Sequence, residues 1–267
     1  MSLNHTECPI VLSLCALPDD VLLLACGAEG LRSVSLSSAQ LSAHKLANVY
    51  EVAFDEHTNT LLLIMRAPRA DNKENVYWLV SLRRNASEWL EVMRLPTNFS
   101  TRSFNVQPAI SVCGSRVLLT DFKTLYVFNV SAKHSVIGAD PLSVKKNIFS
   151  LACTRRDGET LVAFAHSSSV SLHRLASVPL RLEWLAEVDL YEPFGLLFSG
   201  DVLLVSHTTT NTSEYAIVSL RASGNALTER RVLLDTNDVE VDAWTLACER
   251  LVQWDFISNG LLVYAFA

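Results

Sequence analysis

His166 and His207 stand near the exits of apolar segments, and Asp121 and Asp255 occupy comparable places elsewhere in the chain. Imidazole nitrogens and carboxylate oxygens are the ligands of a catalytic divalent metal, provided that they meet within bonding distance. Each residue also has an ordinary role, because Asp commonly closes turns by bonding to nearby backbone. No short-range spacing ties the four together, so turn closure is the preferred reading. A metal-dependent hydrolase using Asp121, His166, His207 and Asp255 is the alternative.

Two carboxylate pairs, Asp19–Asp20 and Asp55–Glu56, could serve acid–base chemistry only in a water-poor cleft. Both fall in polar turns, where solvated acids are expected. The six cysteines are Cys8, Cys15, Cys26, Cys113, Cys153 and Cys248, and none form a Cys-x-x-Cys pair. That spacing disfavours a zinc site. Small buried thiols that pack between strands are expected instead. Gly-x-Ser-x-Gly, His-Glu-x-x-His and the Walker loop are absent. The expectation is a protein with no catalytic centre, no cofactor and no metal.

The chain has 267 residues, 49% hydrophobic and 19% charged, with a net charge of −6. That much apolar side chain can offset the entropy of ordering, so a folded chain follows. The acidic balance disfavours a nucleic-acid partner. No apolar run reaches the roughly 18 residues that a membrane-spanning helix needs. Pro9–Leu17 is apolar, but the first basic residue other than His is Arg32, so it reads as a strand and not a signal segment. An intracellular protein is expected. Secretion is the minor alternative, supported by Asn-x-Ser/Thr triplets at Asn4, Asn85, Asn98, Asn129 and Asn211.

The elements that position these residues come from a repeat. Residues 150–165, SLACTRRDGETLVAFA, give an apolar run, a polar knot at Arg155–Gly158 and a second apolar run. Similar pairs of runs occur over residues 10–24, 49–64, 109–119, 193–205 and 243–254. Gly, Asp, Asn and Ser recur in the turns and suit tight hairpins. A third run follows in every unit, among them Leu31–Leu36, Leu125–Val130 and Leu261–Phe266. A fourth is clear at Glu88–Leu95, Arg181–Leu190 and Leu227–Leu234 and weak at Leu41–Leu46. Four antiparallel strands per 40–55 residues is about the period of propeller blades. The first two strands should be covered on both faces and the outer ones should carry the charges.

Asp121–Val130, DFKTLYVFNV, resembles the turn from second to third strand in a WD-repeat blade. Phe149–Leu161, FSLACTRRDGETL, resembles that family's first hairpin. The third strands end not in Trp-Asp but in Val34–Ser35, Val80–Ser81, Phe128–Asn129, His173–Arg174 and Val218–Ser219. The chain thus reads as a divergent WD-repeat-like β-propeller over residues 1–267, of about six four-stranded blades. The last blade lacks a fourth strand, and Ser2–Thr6 could complete it. The resemblance implies a non-catalytic protein-interaction scaffold whose partners are proteins, not membranes, nucleic acids or small-molecule substrates. The candidate contact loop is Arg66–Asn75, with Arg66, Arg69 and Lys73.

Overall fold

Tight turns set the strand boundaries. The computed structural model describes residues 10–38, 40–56, 58–67, 75–85, 88–101, 109–120, 122–130, 136–208, 215–223, 226–236, 241–247, 250–255 and 260–265. Among them every regular element is a β-strand. The first sheet contains β1 (Ser13–Leu17), β2 (Val21–Ala25), β3 (Leu31–Ser35) and β4 (Leu41–Ala43). The second contains β5 (Val49–Asp55), β6 (Thr60–Ala67), β7 (Asn75–Asn85) and β8 (Glu88–Thr101). The third contains β9 (Ala109–Cys113), β10 (Arg116–Thr120), β11 (Thr124–Val130) and β12 (Val136–Ser143). The fourth contains β13 (Ser150–Arg156), β14 (Glu159–Ala165), β15 (Ser169–Ser177) and β16 (Leu180–Asp189). The fifth contains β17 (Pro193–Ser199), β18 (Val202–Thr208), β19 (Tyr215–Ser223) and β20 (Ala226–Thr236). The sixth contains β21 (Val241–Ala247), β22 (Arg250–Asp255) and β23 (Gly260–Ala265).

All are antiparallel meanders in sequence order, and the fold is of the β-propeller class. The expected count of about six four-stranded blades is met in five. The sixth sheet has three strands among the described residues. The segment Ser2–Thr6 lies outside the described residues.

The hairpin of residues 150–165 shows how sequence makes these boundaries. Arg156 pairs with Glu159, leaving Asp157 and Gly158 as the loop, with φ of 49° and 81°. Two successive left-handed residues are the signature of the hairpin turn whose twist matches the strands, and Asp-Gly is its favoured pair.

Contacts gather the chain into two compact units. One holds the first, second and sixth sheets, and the other holds the third, fourth and fifth. In the first unit β1 packs against both β5 and β21, so the first and last sheets are neighbours. Val252 of β22 shares a core with Val11, Leu14, Leu22 and Leu24. Leu17, Leu23, Leu61, Leu63 and Val80 fill the space between the first and second sheets. In the second unit β13 packs against β9 on one side and β17 on the other.

Second strands are the most continuously buried: Leu22–Ala25 of β2, Thr60–Met65 of β6 and Thr160–Ala165 of β14 contain no exposed position. Each has a ladder partner on both edges. First strands are less buried than expected, with only every third residue of β1 and β5 enclosed. They are edge strands, paired on one side only.

Close backbone approach constrains the first sheet. A Cβ on Gly30 (φ +89°) would lie 1.9 Å from the carbonyl oxygen of Leu46, which accepts the N–H of Leu31. A Cβ on Gly158 (φ +81°) would meet nothing within 4 Å. Both positions carry the left-handed penalty of about 1 kcal/mol for Ala, but only Gly30 carries the clash. Gly30→Ala should therefore destabilise by at least ~2 kcal/mol more than Gly158→Ala in urea titrations. Equal losses would refute the contact.

Candidate functional site

The third and fourth sheets bring their hairpin turns to one end and enclose a shallow depression of about 320 Å³. Arg116, Glu159, Thr160, Arg174, Ser177 and Glu183 line it. Arg116 opens β10 directly opposite Cys113, the last residue of β9. Its guanidinium reaches across to Thr160 Oγ1 at 3.3 Å and to Ser177 Oγ. Arg174 donates to Glu159 at 3.0 Å and to Glu183 at 2.8 Å. Arg181 completes the chain on Glu183. Hydrogen bonds from Arg174, then Arg181, hold the Glu183 carboxyl below its ordinary range. Two large apolar side chains of the same hairpin are open to solvent: Val178 is 92% exposed at the turn and Trp184 is 62% exposed on β16.

Beside the depression lies a pair of thiols. Cys113 and Cys153 belong to one core cluster between the third and fourth sheets. Ser111 accepts the backbone N–H of Cys153 at 3.0 Å and its thiol at 3.3 Å. The side chain of Arg155 lies over the turn after Cys113, where a Cβ on Gly114 would come within 3.7 Å of Nη1. Interaction with Cys153 holds Cys113 below the ordinary thiol value, against its own burial, with help from Arg116, Arg155 and Thr160. Burial, then the Cys113 sulfur, pushes Cys153 well up. Cys15 has no such cations, and burial pushes it up to about 12. Packing explains Cys15 and Cys26, as expected. The polar surroundings of Cys113 were not visible in sequence spacing.

The predicted residues are dispersed. His166 is buried, and its Nδ1 lies 2.8 Å from the carbonyl oxygen of Asn147. A carbonyl can only accept, so Nδ1 carries the proton and Nε2 accepts the Ser171 hydroxyl at 2.8 Å. Ser171 in turn accepts from His173 Nε2 at 3.0 Å. His173 Nδ1 is then a bare buried acceptor with no hydrogen-bond partner among the described residues. Nearby, Lys146 pairs with Glu187, and Ser169 also donates to Glu187. His207 is buried, and its Nδ1 bonds to the Thr208 carbonyl at 2.9 Å. Asp121 lies outside the described residues, and Asp255 closes β22. Among the described residues no group of three His, Cys, Asp or Glu side chains could hold a metal ion.

Asp19 pairs with Arg84, as suits a surface turn. Asp55 is not a solvated turn carboxylate: it is 4% exposed and accepts from Thr58. Of the candidate contact loop, Arg66 belongs to β6 and sits 5.1 Å above the Tyr50 ring, a cation–π contact. Arg69 and Lys73 lie outside the described residues. One carboxyl that sequence reasoning missed is Glu51 of β5. Burial pushes it up to about 8, opposed by a Ser13 hydrogen bond.

These groups carry opposite pH signatures. Burial, then His166, lowers His173 to about 4 against the pull of Glu187, and burial also lowers His166. The unfolded chain then binds these protons first. Stability from this pair is present above about pH 6.5 and is lost as pH falls toward 4. His173→Phe should flatten that loss by roughly 2 kcal/mol relative to wild type, read from urea midpoints at pH 7 and 4.5. Glu51 works the other way, because a raised acid stabilises below pH 4.5 and loses that contribution as pH rises to 8. Glu51→Gln should be more stable than wild type at pH 8, by roughly 1–3 kcal/mol, with the gain vanishing near pH 4.5. A gain independent of pH would contradict the assignment.

No protein-family model matches this sequence, and no curated protein matches it. Solved structures do share its fold. U3-55K superposes at a TM-score of 0.57 with 11% identity, over 100% of this chain and 98% of that one. The hydrazine synthase of Kuenenia stuttgartiensis gives 0.58 with 9% identity, over 100% and 99%. A protein from Lactobacillus plantarum gives 0.53 with 14% identity, over 96% and 85%. At such identities the likeness shows the fold alone.

Proposed function

We propose that this protein is a non-catalytic interaction module of WD-repeat-like character, and that it holds a protein partner on the hairpin end of its fourth sheet. The observation that carries the reading is Trp184, 62% exposed on a regular strand. Aromatic anchors of this kind, ringed by polar groups, dominate the energy of protein interfaces. Val178 at the turn of the same hairpin adds apolar area. On the same sheet the Arg174 and Arg181 guanidiniums are already matched to Glu159 and Glu183, which disfavours a polyanion as the partner. The loop containing Arg66, Arg69 and Lys73 is a second proposed contact, in the other unit.

Affinity capture from a lysate, with binding then measured on the purified partner, tests the reading. Trp184→Ala should weaken binding about 30-fold, the roughly 2 kcal/mol of an interface hot spot. Its stability should stay within about 0.5 kcal/mol of wild type, because the ring is largely exposed. Undiminished binding by Trp184→Ala and Val178→Asp would overturn the assignment of this surface. A loss confined to variants of Arg66, Arg69 and Lys73 would move the contact to that loop.

A further inference from the structure

Cys113 and Cys153 pack in one core cluster where β9 meets β13. Arg116 stands opposite Cys113 in the ladder and the Arg155 side chain lies over the turn that follows it, so two cations sit at this end of β9 and favour the Cys113 thiolate. Ser111 holds Cys153 by both its backbone N–H and its thiol, which fixes the height of β13 against β9. Arg116, the ladder partner of Cys113, also lines the depression. We propose that Cys113 and Cys153 are a peroxide-reactive dithiol, with Cys113 the attacking sulfur and Cys153 the resolving one, that closes to a disulfide between β9 and β13. This chemistry is independent of the partner surface proposed above.

Each step balances. The Cys113 thiolate uses a sulfur electron pair to attack one peroxide oxygen. The O–O bond breaks, and the departing hydroxide takes a proton and leaves as water, giving Cys113 sulfenic acid. The Cys153 sulfur then attacks the sulfenic sulfur. The S–O bond breaks, and the hydroxide leaves as water with the proton that Cys153 gives up. Two thiols and one peroxide become one disulfide and two waters. The two sulfurs lose two electrons, and the peroxide gains them. The cations beside Cys113 favour the thiolate that this attack requires.

The test is hydrogen peroxide treatment of the full chain, followed by thiol alkylation, peptide mapping and intact mass. Expected is a Cys113–Cys153 cross-linked peptide that dithiothreitol reverses. Cys113 should react about tenfold faster or more than Cys15 in the folded protein, with a pH midpoint below that of an ordinary thiol. Cys153→Ser and Cys153→Ala should each stop at a sulfenic acid that dimedone traps on Cys113. Cys113→Ser should leave Cys153 reduced. Arg116→Gln should slow the reaction while leaving the cross-link site unchanged. The proposal is overturned if wild-type Cys113 reacts no faster than Cys15, or if the cross-link joins other cysteines. It is also overturned if Cys153→Ser removes the reactivity of Cys113 while circular dichroism shows a native fold.

Discussion

Neighbouring sheets within each unit meet at their first strands, and those strands are edges. An edge strand has N–H groups with no ladder partner, and leaving them buried and unpaired would cost roughly 1–3 kcal/mol each. Serine hydroxyls answer this in both units. Ser13 accepts the N–H of Val52, and Ser111 accepts that of Cys153. In each case the donor is the fourth residue of the next sheet's first strand. The same hydroxyls reach further: Ser13 also bonds to Glu51, and Ser111 also takes the Cys153 thiol. The contacts that join sheets are thus the contacts that perturb the titratable groups.

Burial alone does not make a site. Cys15 is half-buried and Cys153 is buried, and burial drives both thiols upward. Cys113 differs because its hairpin places Arg116 across the ladder and Arg155 over the following turn. Opposite charges and hydrogen bonding at this buried sulfur outweigh desolvation. The His166–Ser171–His173 chain shows the reverse case. Its imidazoles sit beside the Phe164 ring, at 6.3 Å and 5.1 Å, and the low-polarity setting favours their neutral forms. That reading accounts for His166 without a metal ion or a substrate.

Much of the fold was legible in residues 150–165. Asp157–Gly158 is a turn by backbone geometry, and the runs on either side became β13 and β14. The burial gradient was legible in direction but misplaced by one strand. Composition shows that inner strands are apolar, yet it does not show which of them has partners on both edges. Asp55 was misread for a related reason: a turn position says nothing about what folds over it. Trp184 went unnoticed because an aromatic in an apolar-rich strand looks like core until the sheet's faces are known.

The sequence by itself determined the local events: where hairpins turn, which segments alternate, and how often the unit repeats. Those follow from φ preferences and side-chain periodicity, which act within a few residues. Only the tertiary structure decided which residues meet. Arg155 and Cys113 come from different sheets, as do Ser13 and Glu51, and nothing in their spacing joins them. Charge and desolvation act through space, over a few ångströms. The character of each thiol, imidazole and carboxyl was therefore set only when the sheets packed.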